Sequence, residues 1–245
     1  MKQLYAIVGL LLLWMLTSCS VSEVNTTFCT TPPTESTTQH TIPTQETIPQ
    51  RIPETTASVP VVTVEPEDDT FVRVLDYIPD LVSDLKYATT DNFTGTVIYA
   101  SDEAWLRYGT VKKLIQVQAE LNKIGYGLKL WDGFRPPEAQ FKLWEICPDP
   151  TYVSNPNNGF SNHSRGNTVD VTLVDMRSNE IEMPTGFDDF STLADRNYSD
   201  CTQLAAANAT MLEEIMEKYG FKGYFGEWWH YTDTDSYEVE KEFIP

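Results

Sequence analysis

A long segment rich in threonine and proline limits how much of this 245-residue chain can fold. From residue 19 to residue 68 the chain consists mainly of Thr, Pro, Glu, Gln and Ser, with few large apolar residues. Such a segment cannot bury enough apolar surface to offset the entropy lost on ordering. We therefore predict a disordered, extended linker over 19–68. Residues 69–245 remain for a single folded domain, which is long enough for a well-buried core.

The first 18 residues predict a secretory signal peptide. A lysine follows the initial methionine, and the apolar run over residues 5–16 is too short to span a bilayer comfortably. The sequence Leu16-Thr17-Ser18-Cys19 then resembles the bacterial lipobox, whose cysteine becomes the lipidated first residue of the mature protein. We expect a lipoprotein signal peptide over 1–18, a membrane anchor at lipidated Cys19 and an extracytoplasmic location. An ordinary cleaved signal with a chance cysteine is the alternative.

Net charge and cysteine spacing argue against two classes of site. The chain carries a net charge of −19 at pH 7, and the excess of acidic residues continues through the predicted domain. Nucleic-acid binding depends on basic side chains that neutralise phosphates, so no nucleic-acid partner is expected. Cys147 and Cys201 fall in the domain without a Cys-x-x-Cys pair, so a cysteine zinc site is not expected either. A disulfide between these two and a pair of separately buried thiols both fit the sequence.

Hydrophobic periodicity mixes helices and strands without a regular βαβ alternation. Alternating or aromatic-rich runs predict strands at residues 71–75, 127–131, 168–174 and 225–232. Start and stop signals predict helices at residues 101–124, 136–147 and 201–219. We therefore expect an α+β domain with a small central antiparallel sheet flanked by helices.

The predicted domain contains only two histidines, and carboxylates lie close to both along the chain. His163 precedes Asp170 by seven residues, and Glu227 precedes His230 by three. A hydrolytic zinc site takes three N or O ligands from the protein and keeps one position for water, so two imidazoles and an aspartate supply the set. A further acid takes the proton of that water, and Glu227 is the candidate. The alternative is one loop histidine and one core histidine without a metal.

Glu227 and His230 serve one metal only if the backbone between them departs from a regular strand. Side chains alternate along a strand, so residues three apart face opposite sides of a sheet. We therefore predict a bulge or turn at Trp228-Trp229.

Several sequence blocks resemble one known family. The two main blocks are His163-Ser-Arg-Gly-x-x-x-Asp170 and Glu227-Trp-Trp-His230-Tyr. Further matching blocks follow the family order at residues 86–95, 131–136 and 183–188. With them, residues 71–245 resemble the D-alanyl-D-alanine dipeptidase family of zinc peptidases. The resemblance implies one zinc ion per chain, held by His163, Asp170 and His230, with Glu227 as general base.

The same resemblance implies roles for four more residues. Arg135 matches the arginine that stabilises the developing oxyanion; a plain ion pair with Asp132 is the alternative. Asp188 matches the carboxylate that binds the free amino end of the dipeptide, and its alternative is an unbonded surface aspartate. Tyr87 and Ser161 match residues that line the substrate pocket, or they serve only as packing and turn residues.

The implied activity is zinc-dependent hydrolysis of D-alanyl-D-alanine to two D-alanines, outside the cytoplasmic membrane and on cell-wall-derived peptides. A carboxylate that binds a free ammonium favours a short substrate, because a longer peptide leaves that charge buried without a partner. One alternative is a D,D-carboxypeptidase that trims peptidoglycan stem peptides. Another is a non-catalytic zinc-containing wall-binding module, against which Glu227 argues, since a structural metal site needs no general base.

Overall fold

The computed structural model describes residues 64–150 and 152–245. The predicted signal peptide, Cys19 and most of the predicted linker lie outside these residues. Among the described residues, no helix has both the length and the apolar character that crossing a bilayer requires.

Strands and helices alternate irregularly along the described chain. The strands are β1 Phe71–Arg73, β2 Val82–Ser83, β3 Trp105–Arg107, β4 Tyr126–Asp132, β5 Thr168–Asp175, β6 Phe221–Tyr224 and β7 Glu227–Asp233. The α-helices are α1 Val74–Tyr77, α2 Tyr108–Lys123, α3 Pro137–Ile146 and α4 Gln203–Lys218. Short 3-10 turns lie at Lys86–Ala88, Asn162–Arg165 and Thr192–Ala194.

A five-stranded sheet in the order β2-β4-β5-β7-β6 forms the centre of the domain, and β1 pairs with β3 in a separate ribbon. Among these pairings, the edge strand β2 runs parallel to β4 and the others are antiparallel. Helices α2 and α4 contact each other and the sheet, and their apolar rows are buried at Leu114, Val117, Leu121, Leu212 and Met216. The predicted α+β class is confirmed, with a sheet that is antiparallel except at one edge.

The predicted elements lie within two residues of their predicted ends except at the start of the first long helix. The helix start predicted at 101–103 is wrong: Trp105–Arg107 is strand β3, which pairs with β1, and α2 begins at Tyr108. Leu106 at the centre of β3 is fully buried, so strand pairing and burial override the local helix signal. The first strand ends two residues early, at Arg73, because a helical turn follows it.

The strand predicted at 225–232 is confirmed as β7, which begins two residues later than predicted and forms one arm of a hairpin. Its partner β6 ends at Tyr224, Phe225 lies exposed in the turn, and β7 begins at Glu227. The two cysteines of the domain, Cys147 and Cys201, are free thiols and half-buried, so the disulfide alternative is not formed.

Strand register places three polar side chains in one row across the sheet. Asp132 at the end of β4 pairs with Asp170 on β5, and Asp170 pairs with His230 on β7. Directly paired residues project to the same face of a sheet. The row therefore brings together residues that are far apart along the chain.

Candidate metal centre and active site

The 3-10 turn before β5 places His163 beside this row. The Ser161 hydroxyl accepts a hydrogen bond from the backbone N–H of His163 at 3.3 Å. Gly166 ends the turn with a φ of +74°, and a Cβ at this position would lie 2.5 Å from the Phe71 ring. Glycine is therefore required for both its conformation and its lack of a side chain. The turn leaves His163 buried, with 2% of its surface exposed.

His163, Asp170 and His230 converge, with one candidate ligand atom from each lying within 4.8 Å of the others. Nε2 of His163 is 3.4 Å from a carboxylate oxygen of Asp170 and 3.4 Å from Nδ1 of His230. That Nδ1 lies 3.0 Å from the other oxygen of Asp170. The Gly133 carbonyl accepts a hydrogen bond from Nδ1 of His163 at 2.9 Å, which turns Nε2 towards the cluster.

Glu227 reaches the same cluster because the hairpin is irregular. Gly223 pairs with Tyr231, but the next residue, Tyr224, pairs with Glu227, so the two tryptophans and His230 have no counterpart in β6. The predicted irregularity is thus confirmed. It places a carboxylate oxygen of Glu227 3.6 Å from Nδ1 of His230, on the same side of the strand.

Arg135 is fixed by two buried partners. Its guanidinium donates to Asp132 at 2.6 and 3.2 Å and to the side-chain oxygen of Gln140 at 3.0 Å. Tyr99 also donates to Asp132, at 2.5 Å. The ion pair considered as an alternative from the sequence is therefore present. Arg135 lines the same pocket as the cluster, with its guanidinium carbon 5.1 Å from the centre of the Tyr87 ring.

Asp188 and Tyr87 line the same pocket and contact each other. The Tyr87 hydroxyl donates to a carboxylate oxygen of Asp188 at 2.8 Å. Asp188 has a φ of +53°, a left-handed conformation that is uncommon for residues other than glycine. Such a strained backbone at a pocket wall is a feature that functional sites often retain.

The pocket is small and its wall is dominated by polar groups. A cavity of about 80 Å³ is lined by all eight residues singled out from the sequence: Tyr87, Arg135, Ser161, His163, Asp170, Asp188, Glu227 and His230. It shares Tyr152, Ser154, Ser161, Glu227 and His230 with a larger cleft of about 280 Å³, whose wall also includes Tyr224. The cluster thus borders a space that small solutes can fill.

Burial and neighbouring charges set the protonation of the acids in the pocket. Burial raises the pKa of Glu227 above its ordinary value. Burial also raises the pKa of Asp188, to about 7, although the hydrogen bond from Tyr87 opposes the change. Burial alone would raise the pKa of Asp170 as well, but His163 and His230 outweigh it and hold that pKa well below its usual range. The pKa of Tyr87 is raised far above its ordinary value by burial and by Asp188, so this hydroxyl stays a donor.

Several contributing residues were not identified from the sequence as part of the site. Gln140, fully buried on α3, holds Arg135 and donates to the Ser154 carbonyl at 2.7 Å. The Tyr99 hydroxyl orients Asp132 by donating to its carboxylate, and the Gly133 carbonyl orients His163 by accepting from its Nδ1. The proximity of Asp132 to Arg135 along the chain was a usable signal, whereas no local pattern marks Gln140 or Tyr99.

Comparisons with known proteins agree with the resemblance read from the motifs. The peptidase M15 family, described as D-ala-D-ala dipeptidase, matches residues 67–244. The D-alanyl-D-alanine dipeptidase of Escherichia coli (strain K12) is 38% identical over 153 residues, covering 62% of this chain and 79% of that protein. Those of Streptomyces coelicolor and Enterococcus faecalis are each 34% identical, covering 64% and 62% of this chain and 89% and 85% of those proteins. A solved vancomycin resistance D,D-pentapeptidase in complex with Zn(II) is 16% identical with a TM-score of 0.38, covering 56% of this chain and 77% of that one, too distant a likeness to support an argument.

Proposed function

The chain belongs to the D-ala-D-ala dipeptidase family of metallopeptidases. We propose that it uses one zinc ion to hydrolyse D-alanyl-D-alanine to two D-alanines. The observation that carries the proposal is the convergence of His163, Asp170 and His230 with Glu227 beside them. The similar proteins named D-alanyl-D-alanine dipeptidase support the choice of substrate.

The residues present fit a zinc ion. Two imidazole nitrogens and one carboxylate oxygen form the donor set of many catalytic zinc sites, which retain a position for water. The hydrogen bond from His163 to the Gly133 carbonyl is the kind of outer contact that orients a ligating imidazole. When bound, zinc supplies a Lewis acid and a water of lowered pKa.

Glu227 is proposed as the general base and acid. Its carboxylate adjoins the cluster, and burial raises its pKa above the ordinary value, which is the direction that suits a group that takes up a proton and later returns it. Glu227 removes a proton from the attacking water as a new C–O bond forms at the peptide carbonyl. It then delivers that proton to the amide nitrogen as the C–N bond breaks, which releases two free amino acids.

Arg135 is proposed to stabilise the negative charge that develops on the carbonyl oxygen. Asp132 and Gln140 already hold its guanidinium in place, so little reorganisation is needed during the reaction. The ion pair and the catalytic role are compatible, since the buried carboxylate serves as the support for a cation that faces the pocket.

Asp188 is proposed to bind the free ammonium of the dipeptide. Tyr87 donates to the same carboxylate, and its ring packs against that of Phe187, with the ring centres 5.7 Å apart. In a substrate extended at its amino end, a peptide bond replaces the free ammonium group at this position. The Asp188 carboxylate would then have no cation to pair with. This charge pairing favours the dipeptide over a wall stem peptide.

A test of the activity compares the wild type with Glu227→Gln. We expect both proteins to bind zinc and the variant to lose about 10²–10⁴-fold in kcat on D-alanyl-D-alanine, the usual contribution of a general acid–base group. Zinc binding without hydrolysis of any D-alanyl peptide by the wild type would instead favour a binding module. Faster cleavage of a pentapeptide stem than of the dipeptide would favour a D,D-carboxypeptidase.

The proposed location is outside the cytoplasmic membrane, with cell-wall-derived peptides as substrates. The support for it is the signal-like start of the chain and the lipobox-like ending at Cys19. Cell fractionation of the wild type beside Cys19→Ser tests the anchor: we expect the wild type in the membrane fraction and the variant outside it. A cytoplasmic wild type would contradict the proposed location.

A further inference from the structure

The irregular hairpin that aligns Glu227 with His230 requires a source of stability, because residues of β7 there lack pairing with β6. A regular hairpin would satisfy its carbonyl groups by cross-strand hydrogen bonds. Here the carbonyls of Trp228 and His230 both accept from one side chain, that of Arg196, at 3.0 Å each. A third carbonyl, that of Tyr224 at the end of β6, accepts from the same guanidinium at 2.8 Å.

The backbone of Arg196 reinforces these contacts. Its N–H donates to the carbonyl of Phe225 at 2.9 Å, so a single residue binds four carbonyls around the hairpin turn. The guanidinium also stacks on the Tyr231 ring, with its carbon 4.4 Å from the ring centre, and pairs with Glu213 at 3.2 Å. Only 6% of this side chain is exposed, so its hydrogen bonds face little competition from water.

Gly223 provides the space that the guanidinium fills. A Cβ on Gly223 would lie 2.3 Å from the central carbon of the Arg196 guanidinium and 2.6 Å from one of its terminal nitrogens. The φ of this glycine is not in the left-handed region, so the close approach, and not backbone conformation, accounts for a glycine here. The missing side chain of β6 and the long side chain at position 196 are therefore complementary.

We infer that Arg196 is a positioning residue, whose guanidinium holds the irregular segment of β7 so that Glu227 and His230 face the same site. The inference rests on the proposed function, because it concerns the base and one zinc ligand. Lysine keeps the charge but presents one ammonium group in place of a planar fork, so it cannot bridge three carbonyls in this geometry.

The test measures zinc affinity by competition with a chelator, together with kcat, KM and thermal unfolding, in the full chain. For Arg196→Lys we expect zinc affinity and kcat at saturating zinc each to fall about 10–100-fold, as for other outer contacts of metal sites. The KM should change little, because the Asp188 wall is untouched. Arg177→Lys, the same substitution at an exposed arginine, is the matched control and should match the wild type.

A second variant approaches the same contact from the opposite strand. Gly223→Ala should displace the guanidinium and, like Arg196→Lys, lower zinc affinity and kcat. In the double variant the fold-loss should be smaller than the product of the two single fold-losses, because both changes disrupt the same contact. Gly223→Ala decides the question if Arg196→Lys does not fold. Zinc affinity and kcat that stay at wild-type values in folded Arg196→Lys, even with a lower melting temperature, would overturn the inference. Should the wild type not hydrolyse the dipeptide, the proposed function fails while the zinc affinities still test Arg196.

Discussion

Asp170 and His230 lie directly opposite each other on adjacent antiparallel strands, with Oδ1 of Asp170 3.0 Å from Nδ1 of His230. Their separation is fixed by the spacing of two strands in the interior of the sheet. A pair of candidate metal ligands built on a rigid sheet is held more accurately than one built on loops. His163 joins this pair from a short turn whose ends are pinned by Ser161 and Gly166.

The first prediction concerns the charge of Asp170. Asp170→Asn keeps the size of the side chain but removes the negative charge between two imidazoles. We expect zinc affinity to fall by more than the roughly 10–100-fold lost when an outer contact is removed. Chelator competition measures the loss, with the exposed Asp102→Asn as control. Unchanged zinc affinity in Asp170→Asn would contradict its assignment as a ligand.

The second prediction separates catalysis from metal binding at Arg135. Arg135→Lys leaves a cation beside the buried Asp132, so the carboxylate is not left unpaired. The planar fork that faces the pocket is lost, and we expect kcat to fall about 10²–10³-fold, as for other groups that stabilise an oxyanion. Zinc content should stay at the wild-type value. A variant with wild-type kcat would remove Arg135 from the mechanism.

The third prediction is a pH dependence that arises from Asp188. Its pKa is raised to about 7, so lowering the pH through this value protonates the carboxyl and removes its attraction for an ammonium group. We expect KM for the dipeptide to rise as the pH falls through this value, and Asp188→Asn to show a high KM without this dependence. Protonation of Asp188 would not itself unfold the protein. A carboxyl whose pKa is raised in the folded state contributes more to the free energy of unfolding as the pH falls and it takes up its proton. A KM for the wild type that stays constant across this pH range would contradict the role of Asp188.

The fourth prediction concerns the support behind Arg135. Tyr99→Phe removes the hydroxyl that donates to buried Asp132 at 2.5 Å. Since Asp132 retains its bonds to Arg135 and to the Gly133 N–H, we expect a loss of about 1–3 kcal/mol in the free energy of unfolding, measured by urea denaturation. The kcat should fall less than in Arg135→Lys. An unfolding free energy equal to that of the wild type would show that the hydroxyl contributes nothing there.

Local patterns in the sequence predicted the long elements and the set of candidate residues well. Periodicity located β4, β5, α3 and α4 within two residues of their ends, because each has a regular spacing of apolar residues or a clear cap. At the start of α4, for example, the Thr202 hydroxyl accepts a hydrogen bond from the Ala205 N–H at 3.1 Å. Side-chain alternation, applied to Glu227 and His230, is enough to predict the irregularity in β7, because residues three apart face opposite sides of a regular strand. The roles of the site residues in catalysis stay predictions.

What the sequence left unpredicted depends on contacts between distant segments. Trp105–Arg107 is a strand only because it pairs with β1, whose residues lie 32 to 36 positions earlier in the chain. Arg196 lies in a loop without a recognisable motif, and its contacts with the hairpin appear only when residues 28 to 35 positions apart are brought together. The role of Gln140 was likewise not predictable, since nothing in the sequence of a short amphipathic helix indicates which buried amide side chain binds an arginine.

The row of Asp132, Asp170 and His230 across β4, β5 and β7 has a consequence for handling the protein. Sheet pairing positions the candidate ligands Asp170 and His230, and a hydrogen bond to the Gly133 carbonyl orients His163, so we expect the proposed zinc site to form by folding and not by binding of the ion. Small zinc modules unfold when stripped of metal, because the ion is their main source of stability. For this chain we expect stripping and reloading to be a reversible exchange on a folded scaffold, so that a spectroscopic substitute such as cobalt can be introduced without refolding.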